Sequence, residues 1–73
     1  MAKRITALDV MRALVRAGFV QHRHHRGSHR AFTHPTKHLR TVVAEHPGEF
    51  PPALLRRVLG QIEMTEEEFK KYL

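Results

Sequence analysis

The order of local signals restricts this chain to a fold that combines helices with a small sheet. Three short segments rich in β-branched and aromatic residues, 19–24, 29–33 and 39–44, have the character of strands. A glycine-containing turn at 25–28 joins the first two, and Pro35, which has no amide hydrogen to donate to a sheet, ends the second. Strands joined by short turns pair antiparallel. We therefore expect a three-stranded antiparallel sheet.

The segment before the sheet carries both a helix start signal and a helix stop signal. Thr6 and Asp9 have the spacing of a capping box, in which each side chain binds the other residue's backbone amide. Gly18 suits the left-handed residue that follows a helix end, with Phe19 placed to pack back on the last turn. These signals predict a helix over residues 6–17.

Two more helices are predicted after the sheet. Pro51 and Pro52 suit the first turn of a helix, where a missing amide hydrogen costs nothing. Gly60 costs about 1 kcal/mol relative to alanine within a helix, and it favours an early end of this one. A last short helix, over residues 65–72, begins with a second capping box. The predicted fold class is α+β, in the order helix-β-β-β-helix-helix.

The length of the chain is enough for one domain with a thin core. It has 73 residues, and a domain of about 60 residues buries only roughly 60% of the surface that its unfolded chain exposes. No cysteine is present to form a disulfide or a thiolate metal site. We expect residues 1–73 to form a single domain that is stabilised by packing or by a partner.

Neither a membrane span nor a signal peptide is evident in the sequence. No apolar run approaches the ~18 residues that a spanning helix needs, and the first residues lack the apolar stretch of a secretory signal. These observations predict a soluble cytoplasmic protein with no membrane partner.

Positive charge is concentrated in the first half of the chain. Residues 1–40 hold nine Lys or Arg against Asp9 alone, which gives +8, whereas residues 41–73 hold four bases against six acids, which gives −2. This asymmetry favours a polyanionic partner, and nucleic acid is the commonest one. Two alternatives are a solvated charged surface without a ligand and a basic face that docks an acidic protein.

The segment Gly27-Ser28-His29 places an imidazole directly after a turn. Imidazole titrates near neutral pH, so a histidine held at a hairpin edge can accept and return protons in the cell. Three arginines, whose guanidinium groups match phosphate oxygens, lie close to it in sequence: Arg23, Arg26 and Arg30. From the residues alone, a histidine that acts in proton transfer and one that only caps the hairpin both remain open.

Six short motifs follow one another along nearly the whole chain. They are Ala17-Gly18-Phe19-Val20, Gly27-Ser28-His29-Arg30, Phe32-Thr33-His34-Pro35, His46-Pro47-Gly48-Glu49, Leu55-Arg56-Arg57-Val58-Leu59 and Thr65-Glu66-Glu67-Glu68-Phe69. Their ordered set resembles the HicA-type mRNA interferase toxins of bacterial and archaeal toxin–antitoxin pairs. The chain departs from the family pattern at Glu63, which stands where a glycine is common, and at Ala44, which stands where a proline is common.

The resemblance implies a fold similar to double-stranded-RNA-binding domains, with helices packed on one face of the sheet. It implies the toxin of a type II toxin–antitoxin system, which cleaves mRNA without a metal ion or other cofactor and is neutralised by a HicB-type antitoxin. The family's catalytic histidine corresponds to His29. The alternative is a non-catalytic RNA-binding module of the same fold, which would retain RNA without cutting it.

Further candidate site residues follow from the same motifs and from the charge distribution. His46 is a second candidate catalytic residue, which could protonate the leaving oxygen or could pack in its loop for structural reasons. The candidates for RNA binding are Arg23, Arg26, Ser28, Arg30 and Lys37. His22, His24 and His25 invite a metal-site interpretation, but no cysteine is present and no carboxylate lies between Asp9 and Glu45. We therefore predict no metal site.

Overall fold

The fold is a three-stranded antiparallel sheet with one helix before it and two helices after it. The computed structural model describes residues 4–22 and 27–73. Its elements are α1 (Ala7–Arg16), β1 (Val20–Gln21), β2 (His29–Thr33), β3 (Arg40–Ala44), α2 (Pro52–Ile62) and α3 (Glu66–Lys70). The strands pair in the order β1-β2-β3, so the predicted α+β class and antiparallel meander are confirmed.

Helix α1 begins and ends as its local signals predict. The Thr6 hydroxyl accepts from the Asp9 amide at 3.2 Å, and the Thr6 amide donates to the Asp9 carboxylate at 3.0 Å. After the helix, Gly18 has a φ of 100°, and the Phe19 amide donates to the Leu14 carbonyl at 2.9 Å. This pattern is a Schellman motif, which satisfies carbonyl groups that the helix end would leave unpaired.

The pairing register decides which strand residues face the core. Phe32 lies opposite Thr41, and these two side chains are only 0% and 1% exposed, together with buried Val43 on the same face of the sheet. Because side chains alternate along a strand, His29 and Val42 lie on the opposite, outer face. Phe32 is therefore a core residue.

Strand β1 is shorter than predicted. Phe19 completes the Schellman motif instead of joining the sheet, so β1 is Val20–Gln21. The ladder continues through the His22 amide, which donates to the Ala31 carbonyl at 2.9 Å. The remainder of the predicted strand, residues 23–24, lies outside the described residues.

Helix α2 continues through Gly60 instead of ending there. It runs to Ile62, and Glu63 then adopts a left-handed conformation with a φ of 57°. The Met64 amide donates to the Leu59 carbonyl at 3.1 Å, so α2 ends in a second Schellman motif. Glu63 thus performs the backbone role for which glycine is better suited.

The core lies between the inner face of the sheet and the helices. Helix α1 contributes Val10 and Leu14, which are fully buried, and α2 contributes Val58 and Ile62.

Helix α3 is capped by a second capping box, in which a hydrogen bond from the Thr65 amide lowers the pKa of the Glu68 carboxyl. No helix in the described ranges 4–22 and 27–73 is long and apolar enough to cross a bilayer.

Candidate functional site

His29 lies in a groove between the outer face of the sheet and helix α2. It is the first residue of β2, it is exposed, and it pairs across the ladder with Ala44 of β3. The groove has a volume of about 310 Å³. Its lining consists of His29, Val42, Ala44, Phe50, Leu54, Arg57, Val58 and Gln61. Four segments of the chain therefore form the groove around His29: the start of β2, the end of β3, the loop before α2, and α2 itself.

Local backbone geometry places His29 at this position. Gly27 has a φ of 56°, a conformation that glycine adopts without strain, and it turns the chain into β2. The Glu45 amide donates to the Ser28 carbonyl at 2.8 Å, which fixes the end of the ladder. Within residues 4–22 and 27–73, no side-chain hydrogen bond engages the His29 ring. Both ring nitrogens can therefore meet a ligand.

Helix α2 brings two polar side chains to the same groove. Arg57 and Gln61 are one helical turn apart on α2, so they lie on the same side of the helix. The Gln61 side-chain oxygen accepts a hydrogen bond from the Thr41 hydroxyl at 2.7 Å. Since its oxygen is engaged, the Gln61 amide nitrogen is the atom that remains to donate.

Arg57 and Gln61 were not among the candidate site residues predicted from the sequence, although Arg57 belongs to one of the six motifs. They are 28 and 32 positions away from His29, and only the packing of α2 against β3 joins them to it. Their four-residue spacing beside the apolar side of α2 is only a weak indication of a functional site, because the same spacing is typical of an ordinary solvated helix face.

Arg30 lies on the other face of the sheet from His29. It is the next residue of β2, and it pairs with Val43, whose side chain is buried in the core. The Arg30 Nε donates to the Glu45 carboxylate at 2.7 Å, so an acid engages this cation. The structure therefore does not bring Arg30 together with His29, and a role for Arg30 in RNA binding stays a prediction.

His46 and Ser28 line a different groove. They lie with Leu8 and Met11 of α1 at the end of the sheet, and the His46 Nδ1 donates to the Pro47 carbonyl at 3.0 Å. That hydrogen bond leaves Nε2 as the nitrogen that can accept a proton. His29 and His46 thus line different grooves, and a catalytic role for His46 stays a prediction.

Lys37, another predicted RNA-binding cation, does not line the His29 groove. Lys37 lies in the turn between β2 and β3, at the opposite end of β2 from His29, and it borders a groove with Glu68 and Tyr72. Residues 29 and 33 alone are about 13 Å apart at the usual rise of a strand. Arg23 and Arg26 lie outside the described residues.

The histidines of the described segments do not form a metal-ligand set. His22 Nε2 is hydrogen-bonded to Thr33 Oγ1 at 2.7 Å. Among residues 4–22 and 27–73, no group of three histidines or acids is arranged to hold a metal ion. His24 and His25 lie outside that part of the chain.

Comparison with known proteins gives one family match. The family model described as "HicA toxin of bacterial toxin-antitoxin" matches residues 8–64 of the chain. The matched segment runs from the first turn of α1 to the residue pair after α2, and it includes every residue that lines the His29 groove. No curated protein matches the chain at a significant level.

Proposed function

The chain belongs to the HicA toxin family of bacterial toxin–antitoxin pairs, and from this premise we propose that it is an endoribonuclease that cleaves mRNA with His29 as its catalytic residue. The observation that carries the proposal is the position of His29, exposed in a groove that also holds a cation and an amide donor. A histidine that only caps a hairpin would not need such neighbours.

The chemistry of RNA cleavage fits a single histidine. The imidazole of His29 removes the proton from a 2′-hydroxyl, and the 2′-oxygen then attacks the adjacent phosphorus. The bond from phosphorus to the 5′-oxygen breaks, and that oxygen takes a proton from water in the open groove. The products are a 2′,3′-cyclic phosphate and a 5′-hydroxyl. RNA supplies its own nucleophile in this reaction, so the protein needs a base and groups that stabilise the phosphorane charge.

We further propose that a HicB-type antitoxin neutralises the protein in the cytoplasm, where mRNA is the substrate. Membership of the family implies a toxin–antitoxin partner. The formal charge of +6 suits both RNA and an acidic protein surface. Purified antitoxin encoded beside this gene should abolish cleavage at equimolar concentration, whereas cleavage that persists with the partner bound would contradict this part of the proposal.

The test of the catalytic assignment is the variant His29→Ala. Because His29 is exposed and lies on the outer face of the sheet, its replacement should leave the melting temperature almost unchanged. Cleavage of a single-stranded RNA should fall by about 10²–10⁴-fold, the usual contribution of a general acid–base group. Gel analysis of a labelled RNA under single-turnover conditions measures this loss.

His22→Ala is the matched control for this experiment. His22 is an exposed histidine on the same face of the same sheet, but it does not line the groove. The His22→Ala protein should cleave RNA at the rate of the parent protein. Undiminished cleavage by folded His29→Ala would overturn the assignment. RNA that is bound but never cut by the parent protein would instead support the non-catalytic RNA-binding module.

A further inference from the structure

We propose that Arg57 of α2 is the phosphate-binding partner of His29 and that Gln61 supplies a second donor to the same phosphodiester. This inference rests on the proposed ribonuclease function and deepens it, because it names the groups that stabilise the phosphorane charge. It also names the substrate unit, which is one phosphodiester of a single RNA strand with its sugar against the apolar floor of the groove.

The position of Arg57 is the first argument. It lines the same groove as His29, and it is the only formally charged side chain among the described residues that do so. No carboxylate borders this groove in residues 4–22 and 27–73, and no ion pair there engages Arg57. An arginine without an acid partner is free to bind a phosphate through two parallel hydrogen bonds.

The anchoring of Gln61 is the second argument. Thr41 is 1% exposed, and its hydroxyl holds the Gln61 oxygen at 2.7 Å. A side chain that a buried residue already holds in place loses less conformational entropy when it binds a ligand. The Gln61 amide nitrogen is therefore a preorganised donor, which is the property that makes such groups effective in a transition state.

The shape and polarity of the groove are the third argument. Val42, which is 39% exposed, and Ala44 form an apolar floor on the sheet, and Leu54 extends it on α2. A volume of about 310 Å³ is at the small end of the range for ligand pockets, which begins at roughly 300 Å³. An apolar floor flanked by an imidazole and a guanidinium suits a ribose and its phosphate.

Arg30, the sequence neighbour of His29, is excluded as its partner by the sheet geometry. Arg30 follows His29 directly in β2, so it faces the opposite side, where it is engaged by Glu45. Arg56 precedes Arg57 on α2 and is exposed, but it does not line the groove. The substitution Arg56→Gln is therefore a matched control, because it removes the same charge one residue away from Arg57.

The experiment compares Arg57→Gln with Arg56→Gln in the full chain. At saturating RNA, Arg57→Gln should lower the single-turnover cleavage rate on the order of 10²-fold, as the loss of one oxyanion donor does in other enzymes. Arg56→Gln should keep the parent rate at saturation and lose only salt-dependent affinity. Arg57→Lys should recover part of the rate, because it restores the charge without the planar fork. Gln61→Glu, which keeps an oxygen for the Thr41 hydroxyl but has no amide nitrogen to donate, should also be slowed.

A binding measurement separates this inference from the ribonuclease function itself. A nucleoside 3′-monophosphate, titrated into the parent protein, should shift the ring proton resonances of His29 in NMR spectra. The shift should be lost in Arg57→Gln and kept in Arg56→Gln. Equal behaviour of the two variants, in cleavage and in this titration, would overturn the inference while leaving the role of His29 intact. A parent protein that never cuts RNA, but binds the monophosphate through Arg57, would overturn only the ribonuclease function.

Discussion

At the scale of single residues, the two Schellman motifs of this protein differ in the residue that takes the left-handed conformation. Gly18 occupies that position after α1, with a φ of 100°, and Glu63 occupies it after α2, with a φ of 57°. A residue with a Cβ atom pays roughly 1–2 kcal/mol for this conformation, and glycine does not. The motif is therefore optimal at one helix end and strained at the other.

This difference predicts that Glu63→Gly stabilises the protein. The gain should be about 0.5–1 kcal/mol, because glycine removes the left-handed strain but loses more backbone entropy on folding. The matched control is Gly18→Ala, which places a Cβ atom 3.1 Å from the His34 ring and forces alanine to a positive φ. It should destabilise the protein by about 1–2 kcal/mol, the cost of the left-handed conformation for a residue with a Cβ atom. Urea unfolding measures both changes, and a destabilised Glu63→Gly protein would contradict the expectation.

At the scale of elements, the two faces of β2 contribute to two different surfaces of the protein. Its first residue, His29, faces the groove beside α2, and its second residue, Arg30, faces α1 and Glu45. Two neighbours in the sequence thus serve different surfaces, as the alternation of side chains along a strand requires. Among the described residues, the cation that lines the groove with His29 is Arg57, which comes from α2.

Because Arg30 and His29 lie on opposite faces of β2, we predict that Arg30→Gln has little effect on catalysis. At saturating RNA, the single-turnover rate should stay within about twofold of the parent, because charge on the opposite face acts only through long-range, salt-screened attraction. Stability should fall by less than about 1 kcal/mol, since the Arg30–Glu45 pair is partly exposed to solvent. A loss of rate as large as that of Arg57→Gln would show that Arg30 reaches the reacting phosphate, contrary to the sheet geometry.

At the scale of the whole molecule, the sequence predicted the order and type of the elements but not how the helices dock on the sheet. The limits of β2 and the caps of α1 follow from local signals, and they were predicted to within a residue. The sequence does not decide which face of the sheet carries Phe32, because two adjacent apolar residues in β2 and two in β3 fit either alternation of side chains. Only the burial of one face resolves that choice.

The composition of the groove is the part that no local pattern could supply. Arg57 reaches His29 because α2 packs along the edge strand β3, and the sequence contains no signal for that contact. His29 and Arg30 belong to one motif of the family, but they lie on opposite faces of the sheet. A candidate site assembled from motif residues alone therefore combined side chains from two surfaces.

The reaction as a whole is expected to proceed without a metal ion. The argument is chemical: the 2′-hydroxyl of RNA is the nucleophile, so the protein must supply a base and a cation, and His29 and Arg57 have those properties. Cleavage should therefore survive excess chelator, leave 2′,3′-cyclic phosphate ends, and fail on a strand whose 2′-hydroxyls are replaced by hydrogen. A metal-bound hydroxide would instead depend on added ions and would not require the 2′-hydroxyl. If chelator stops the parent enzyme and zinc or magnesium restores it, His29 would have to be reassigned from base to metal ligand.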